Sequence, residues 1–305
     1  MNDAVSGVLL LDKPSGPSSN SVLQRVKRLL GAARAGHTGT LDPLASGLLV
    51  ITLGEATKFS GSLLEADKAY RARLKLGERT STGDAEGSVL SRSEVAVSES
   101  ALRAALERFR GEIGQVPPMY AAIKHQGRPL YAYARRGEHV DRAPRRVAIR
   151  RLDLESFEGK TASLYVECSK GTYIRSLAED IGAVLGCGGH LAALERLAVG
   201  SFTLRQAVKL EDLEGFSPDR RRERLLPPQA LLESWPRLRL PAELTAKFRH
   251  GQSVPADTAD GNVAVFGEGE VFLGTGEVSA RTLQPRRLLA SSRAGNSLWK
   301  ALIPR

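Results

Sequence analysis

The stretch that most constrains the fold is residues 34–58, in which a glycine-rich loop runs into a short apolar segment. Residues 48–53 lie between two glycines and are too few for a core helix, so they favour a strand covered on both faces. Before this strand, Gly39 permits backbone angles closed to other residues, and Pro43 restricts Asp42 to an extended conformation. Asp42 is therefore predicted on a stiff turn, where its carboxylate loses water unless a cation meets it.

Composition indicates a globular protein with a polyanionic partner. The 305 residues suffice for one large domain and a small one, and 42% of them are hydrophobic. There are 44 Lys and Arg residues against 34 Asp and Glu, a net charge of +10. Nucleic acid is the first partner that such a charge suggests.

Several other classes of protein are not indicated. Cys168 and Cys187 are widely spaced and lack clustered histidines, which is typical of buried thiols in a reducing compartment. Neither a signal peptide nor an apolar run of the ~18 residues of a membrane span is present, so we expect a cytoplasmic protein with no membrane contact. Dinucleotide fingerprints, phosphate loops and metal-ligand clusters are missing from the sequence, so neither a cofactor nor a metal is expected.

Residues 36–49, Gly-His-Thr-Gly-Thr-Leu-Asp-Pro-Leu-Ala-Ser-Gly-Leu-Leu, resemble the catalytic motif of the TruB family, the pseudouridine synthases that act on the T-loop uridine of tRNA. Residues 11–14, 67–70, 171–175 and 186–198 are similar to further motifs of that family. Each match alone has an ordinary reading, because an aspartate before proline is a common turn signal and an inward tyrosine fills cores.

The resemblance assigns catalytic roles to three residues. Asp42 would act at ribose C1′, either as a nucleophile or as the group that stabilises a sugar intermediate. Arg175 would pair with Asp42 and keep it ionised. Tyr70 would stack on the target uracil and could serve in proton transfer. Tyr173 and Leu194 would line the pocket of the base.

Other residues are assigned to RNA binding by the same resemblance. His37 would fill the space left by the flipped-out base, with Thr38 beside it, and Lys13 would support the active site. Arg196 would approach RNA. Glu195 stands where the family commonly has another arginine, so a phosphate contact is not expected there.

Periodicity places these motifs on secondary structure. Residues 70–76 and 164–168 alternate as strands, and a helix through Leu177 and Ile181 follows the second of them. Leu191, Leu194 and Ala198 have helical spacing, which predicts a helix with these residues in the core. Residues 79–87 form a polar turn between strands, in which the resemblance includes Asp84.

Residues 115–145, called the insertion below, are expected to clamp RNA. Val-Pro-Pro at 116–118 breaks regular structure, and Lys124 and Arg128 then alternate with tyrosines. Cations and aromatic rings together suit a surface that neutralises phosphates and stacks bases, although a merely solvated basic segment has the same composition. The segment resembles the thumb-like insertion of bacterial TruB proteins.

We therefore predict an α+β fold with two domains. Residues 1–232 would form a pseudouridine synthase catalytic domain with a bent, largely antiparallel mixed sheet and flanking helices, and residues 233–305 a small PUA-like β domain. The predicted activity is isomerisation of uridine 55 in the T-loop of tRNA, by a monomer that needs no guide RNA and no obligatory protein partner. The alternatives are a non-catalytic RNA-binding module or tRNA folding chaperone, and the guide-RNA-dependent branch of the superfamily.

Overall fold

A computed structural model describes residues 5–121 and 123–290. Its strands in chain order are β1 Gly7–Lys13, β2 Ala35–His37, β3 Ser46–Leu53, β4 Lys68–Leu76, β5 Glu78–Thr80, β6 Val89–Arg92, β7 Gly111–Gln115, β8 Lys124–His125, β9 Arg128–Pro129, β10 Arg145–Glu158, β11 Thr161–Cys168, β12 Gly189–Val199, β13 Phe202–Thr203, β14 Val208–Lys209, β15 Arg237–Arg239, β16 Val254–Pro255, β17 Gly261–Phe266, β18 Phe272–Ser279 and β19 Thr282–Leu288.

The helices are α1 Ser19–Leu30, α2 Gly61–Leu64, α3 Glu99–Glu107, α4 Leu130–Ala134, α5 Ile174–Val184, α6 Leu210–Gly215, α7 Pro218–Glu223 and α8 Ala242–Arg249. Short segments of 3-10 helix occur at Gly54–Phe59, Leu204–Gln206, Pro228–Leu232 and Glu268–Glu270. Within the described ranges, no helix has the length and apolar character needed to cross a membrane.

One large sheet organises the first part of the chain. Its strand order is β14-β1-β3-β12-β4-β11-β10-β7, with β2 paired to β3 and β13 to β12. The β1–β14 and β3–β12 contacts are parallel and the other pairings are antiparallel, so the sheet is mixed and largely antiparallel, as predicted. Helix α1 packs on β1 and β3 through one apolar cluster, and α3 and α5 pack on β4, β10 and β11 through another. The expected burial of β3 on both faces is confirmed, since residues 47–53 are all buried.

The prediction of a helix through Leu191, Leu194 and Ala198 is wrong. These residues lie on β12, a strand between β3 and β4 in the middle of the sheet. Register shifts between Leu191 and Ala193 and between Arg196 and Ala198 interrupt its pairing with β4. Each such bulge adds a residue and breaks the two-residue alternation, so the apolar positions acquire a spacing that resembles that of a helix.

The C-terminal part forms a separate five-stranded sheet in the order β15-β17-β18-β19-β16, with α8 beside it. This sheet has an apolar core of its own, which includes Phe248 and Leu283. A second cluster is shared with the large sheet, because Phe272 of β18 packs edge to face on Phe59, with ring centroids 5.2 Å apart. The mixed α/β part and the curled β part agree with the predicted fold class, whereas the boundary at 232/233 stays a prediction.

Candidate active site

The loop that carries Asp42 connects β2 to β3 and is fixed on both sides of the aspartate. Before it, the buried Ser19 of α1 both donates to the Leu41 carbonyl at 2.7 Å and accepts from the Leu41 N–H at 2.8 Å. After it, the Pro43 carbonyl accepts from the Gly16 N–H at 2.8 Å. Hydrogen bonds from α1 and from the loop after β1 therefore hold the turn, which agrees with its predicted stiffness.

Arg175, in the first turn of α5, reaches the Asp42 carboxylate. Its Nε lies 3.1 Å from Asp42 Oδ2 and 3.7 Å from an oxygen of the buried Asp84. Its Nη2 donates to the Tyr120 carbonyl at 2.7 Å and its Nη1 to the Thr82 carbonyl at 3.3 Å. One buried guanidinium therefore joins the aspartate loop, the 79–87 turn and the insertion.

The electrostatic surroundings of Asp42 act in opposite directions. Burial raises the pKa of its carboxyl, the Arg175 charge lowers it, Asp84 raises it and Lys13 lowers it, and the net direction is upward. The side chain nevertheless remains 39% exposed, whereas that of Arg175 is 6% exposed. The carboxylate therefore faces an open site while its cationic partner is held inside the protein.

Lys13, at the end of β1, is fully buried. Its Nζ donates to the carbonyls of Pro14 and Pro17, each at 2.8 Å, and burial lowers its pKa to about 8 although Asp42 and Glu86 oppose this. This position fits support of the site and gives the ammonium group no surface for a direct contact with RNA.

Arg196 is 2% exposed, and burial lowers the pKa of its guanidinium. The guanidinium donates to the carbonyls of Leu48 at 2.8 Å and Gly39 at 3.0 Å, and the residue lies opposite Tyr70 in the β12–β4 register. This burial argues against the expected approach of Arg196 to RNA. The side chain instead joins the two ends of the aspartate loop through these hydrogen bonds.

The side chains predicted for the base pocket belong to two apolar clusters. Tyr70, Leu194 and Leu44 are partly buried and pack on the α5 side of the sheet. Burial raises the pKa of the Tyr70 hydroxyl, and the nearby Arg196 charge lowers it to a smaller extent. Tyr173 packs instead on the small core of the insertion, which includes Leu130. The predicted pocket residues thus come from β4, β12 and the start of α5.

His37 ends strand β2, and Thr38 is the next residue, at the start of the loop. His37 Nδ1 and Thr38 Oγ1 are buried atoms without a hydrogen-bond partner among the described residues. Burial lowers the pKa of His37, and the Arg196 charge acts in the same direction, which favours the neutral imidazole. Thr38 is 1% exposed, which leaves its hydroxyl no direct route to an RNA strand in this conformation.

The insertion carries Lys124 and Arg128 on the short β8–β9 hairpin, where both side chains are exposed. The hairpin packs on α4, since Tyr133 donates from its hydroxyl to the His125 carbonyl at 3.0 Å. Lys124 and Arg128 are therefore accessible at the surface, unlike the buried cations around Asp42.

Two polar residues close to the Asp42 site were not identified from the sequence. Glu86 lies close enough to the site to affect Lys13, and burial raises its own pKa. Gln115 is buried at the base of the insertion and bonds to the backbone of Tyr173. The available signal for Gln115 was its position as a polar residue directly before Val-Pro-Pro, which is a weak signal.

Among the described residues, no three His, Cys, Asp or Glu side chains are grouped as a metal site requires.

Solved structures share this architecture. A chain of a Cbf5-Nop10-Gar1 complex matches with a TM-score of 0.73 and 27% identity, over 92% of this chain and 84% of the other. A chain of an H/ACA RNP bound to a substrate RNA containing 2′-deoxyuridine matches with a TM-score of 0.72 and 25% identity, over 96% and 88%. The fold is that of the pseudouridine synthases.

Sequence comparison defines the family. The model for the N-terminal domain of TruB family pseudouridylate synthases matches residues 27–174, and two C-terminal models, of tRNA pseudouridylate synthase B and of pseudouridine synthase II TruB, match residues 175–233 and 236–289. The protein named tRNA pseudouridine synthase B from Burkholderia mallei (strain NCTC 10247) is 52% identical over 94% of this chain and 98% of its own length. The protein of the same name from Azoarcus sp. (strain BH72) is 54% identical over 94% and 96%. The chain belongs to the TruB family.

Proposed function

We propose that the protein converts uridine to pseudouridine at position 55 in the T-loop of tRNA, with Asp42 acting at ribose C1′. The single observation that carries this proposal is the Asp42–Arg175 pair, 3.1 Å apart, in which the arginine is buried and the carboxylate faces an open site. The relatives named tRNA pseudouridine synthase B support the choice of tRNA as substrate.

The reaction is an isomerisation, so every atom of the uridine except an exchanged hydrogen stays in the product. The bond from C1′ to N1 breaks, the uracil turns within the site, a bond from C1′ to C5 forms, the proton on C5 leaves to a base, and N1 takes up a proton. An ionised carboxylate can attack C1′ and later depart, or stabilise positive charge on the sugar. Arg175 favours that ionised form against the effect of burial.

The uracil has to leave the RNA stack, which costs a few kcal/mol. Tyr70 and Leu194 would hold the extruded ring beside Asp42, with Tyr173 on the insertion side. His37 would occupy the space vacated in the loop, and its neutral imidazole suits packing among bases. Tyr70 would also take part in proton transfer.

The exposed Lys124 and Arg128 would neutralise phosphates of the T-arm. We further propose that the enzyme acts in the cytoplasm as a monomer, without guide RNA, cofactor or obligatory protein partner. The insertion of this chain supplies the clamp that such an independent enzyme needs.

Release of tritium from a T-arm stem-loop labelled at uridine C5 tests the proposal, since joining the ring through C5 expels that label. Purified protein is incubated with the RNA alone, and D42N is compared with the wild type. D42N preserves shape while removing the negative charge, so we expect release to be abolished. The matched control is D219N, an exposed aspartate in the first turn of α7, which should release tritium at the wild-type rate.

Tight RNA binding without release by the wild type would favour a binding module or chaperone, or a requirement for guide RNA. Release by D42N at the wild-type rate would remove Asp42 from the mechanism. Mapping the modified position in full-length tRNA decides whether position 55 is the target.

A further inference from the structure

Two hydrogen bonds join the side chain of Gln115 to the backbone of Tyr173. The Tyr173 N–H donates to Gln115 Oε1 at 2.7 Å, and Gln115 Nε2 donates to the Tyr173 carbonyl at 3.0 Å. Gln115 is the last residue of β7 and is 2% exposed. The two bonds define which end of the amide carries oxygen, because an N–H needs an acceptor and a carbonyl needs a donor.

The same segments make two further contacts beside this pair. Ser176 Oγ donates to the Val116 carbonyl at 3.1 Å, and Arg175 Nη2 donates to the Tyr120 carbonyl at 2.7 Å. The first turn of α5 is thus bonded to the root of the insertion, residues 115–120, by four hydrogen bonds. Arg175 belongs to that turn and also holds Asp42.

Helix α5 lacks the usual means of fixing its N-terminus. Tyr173 is the N-cap residue, and no side chain of the helix start accepts a hydrogen bond from the first turn. Free N–H groups at a helix start normally require such a partner. Gln115 supplies part of this function from another element, 58 residues away in sequence.

We propose that Gln115 is a positioning residue, whose amide holds the first turn of α5 so that Arg175 points at Asp42 and couples the insertion to the catalytic carboxylate. The inference rests on the proposed function, because its effect is on the isomerisation step. Gln115 is buried and bonds to the Tyr173 backbone, so it would act on the reaction through Arg175. Loss of its two bonds should therefore alter the rate of the bound complex more than the affinity for RNA.

Q115E is the sharpest test because the ionised carboxylate can perform only half of the pairing. Glutamate accepts from the Tyr173 N–H, but its second oxygen then faces the Tyr173 carbonyl with no proton between them. When protonated, glutamic acid donates to that carbonyl and restores both bonds. Single-turnover tritium release at saturating enzyme should fall about 10- to 100-fold at pH 8, the range typical of a small misplacement of catalytic groups.

The ratio of the Q115E rate to the wild-type rate should then rise towards one as the pH falls to about 5.5, because a buried carboxyl protonates above its usual pKa. Q115M, which has a similar volume and no hydrogen-bonding group, should be slow at every pH. The dissociation constant for the T-arm should change less than threefold in both variants. The charge control Q24E, at an exposed position on α1, should match the wild type throughout.

A pH-independent loss in Q115E, or a loss expressed wholly in RNA affinity, would overturn the proposal. If Q115E does not fold, the result for folded Q115M decides, since a wild-type bound rate there also overturns it. Failure of the proposed function gives a different result, because the wild type itself then releases no tritium.

Discussion

Three buried cationic side chains surround the Asp42 loop, and backbone carbonyls bind all three. Lys13 donates to two carbonyls, Arg175 to two and Arg196 to at least two. Among the described residues, Arg175 is the one of these three that also forms an ion pair with a carboxylate. Charged groups are costly to bury unless hydrogen bonds replace water, and the carbonyls supply those bonds. Of the three, Arg175 and Lys13 lower the pKa of Asp42 and so oppose the rise that its burial causes.

Lys13 gives a prediction for the dependence of stability on pH. Its pKa is about 8 in the folded protein against 10.5 for an ordinary lysine. Below pH 8 the folded state bears the full cost of a buried charge, and between pH 8 and 10.5 that cost disappears because the folded state loses its proton first. Relative to K13M, the wild type should gain about 2–3 kcal/mol of unfolding free energy between pH 7 and pH 10.

Urea denaturation of both proteins at several pH values measures this gain, and groups common to both cancel in the difference. A constant difference over that range would show that Lys13 keeps its charge while buried.

Among the elements, the junction of β3 with β12 depends on a glycine. Gly47 has φ +97°, and a Cβ there would lie 2.4 Å from the Arg196 carbonyl oxygen. Gly16 has a similar φ of +108° with no atom within 4 Å of such a Cβ. G47A should therefore lower the free energy of unfolding by about 2 kcal/mol more than G16A, because both variants strain the backbone but only the first overpacks.

Chemical denaturation compares the two variants directly. Equal losses would mean that β12 can move away from β3 at no cost, and that the close approach of the two strands is not needed.

The β8–β9 hairpin is the element predicted to bind phosphates. Each cation that neutralises an RNA phosphate adds about 0.7–0.9 to the slope of log affinity against log salt concentration. K124A/R128A should therefore reduce the magnitude of that slope by about 1.5 while leaving the rate of the bound complex unchanged. Filter binding of the T-arm at several salt concentrations measures the slope.

R103A is the matched control, because Arg103 on α3 is already paired with Glu99 at 2.7 Å and has little free charge to offer. An unchanged slope for K124A/R128A would assign the hairpin a role other than neutralising phosphates.

On the scale of the whole molecule, the two sheets share an apolar cluster. Phe272 contacts Phe59 of the first part and also Phe266 of its own sheet, at 5.4 Å between centroids. Lys58 adds a hydrogen bond of 3.0 Å to the Leu288 carbonyl. Because a packed apolar contact couples the stability of its two sides, we expect the two parts to unfold together.

F272A should remove about 3–4 kcal/mol from that coupling and split one calorimetric unfolding transition into two. L273A is the control, since Leu273 points into the separate core of the C-terminal sheet and should lower the stability of that part. A single transition in F272A would show that contacts other than the aromatic cluster join the two parts.

Elements with strong local signals were predicted correctly, whereas β12 was not. Strand β3 is bounded by glycines, β4 alternates, and α5 follows β11 where a helical pattern begins. The bulges of β12 depend on its pairing with β4, which lies more than 100 residues earlier. Its own residues therefore could not indicate them.

Local sequence was enough to predict the stiff loop around Asp42, the buried strand after it and the motifs of the TruB family, because sterics and short-range periodicity act between near neighbours. Three features became visible only in the folded structure. Arg196 is buried and bonds to the backbone at both ends of the aspartate loop. The Tyr120 carbonyl accepts a hydrogen bond from Arg175, and Gln115 bonds to the Tyr173 backbone. These contacts join residues 55 to 157 positions apart. Backbone carbonyls carry no side-chain signature, so the partners of a buried cation become visible only once distant segments are packed together.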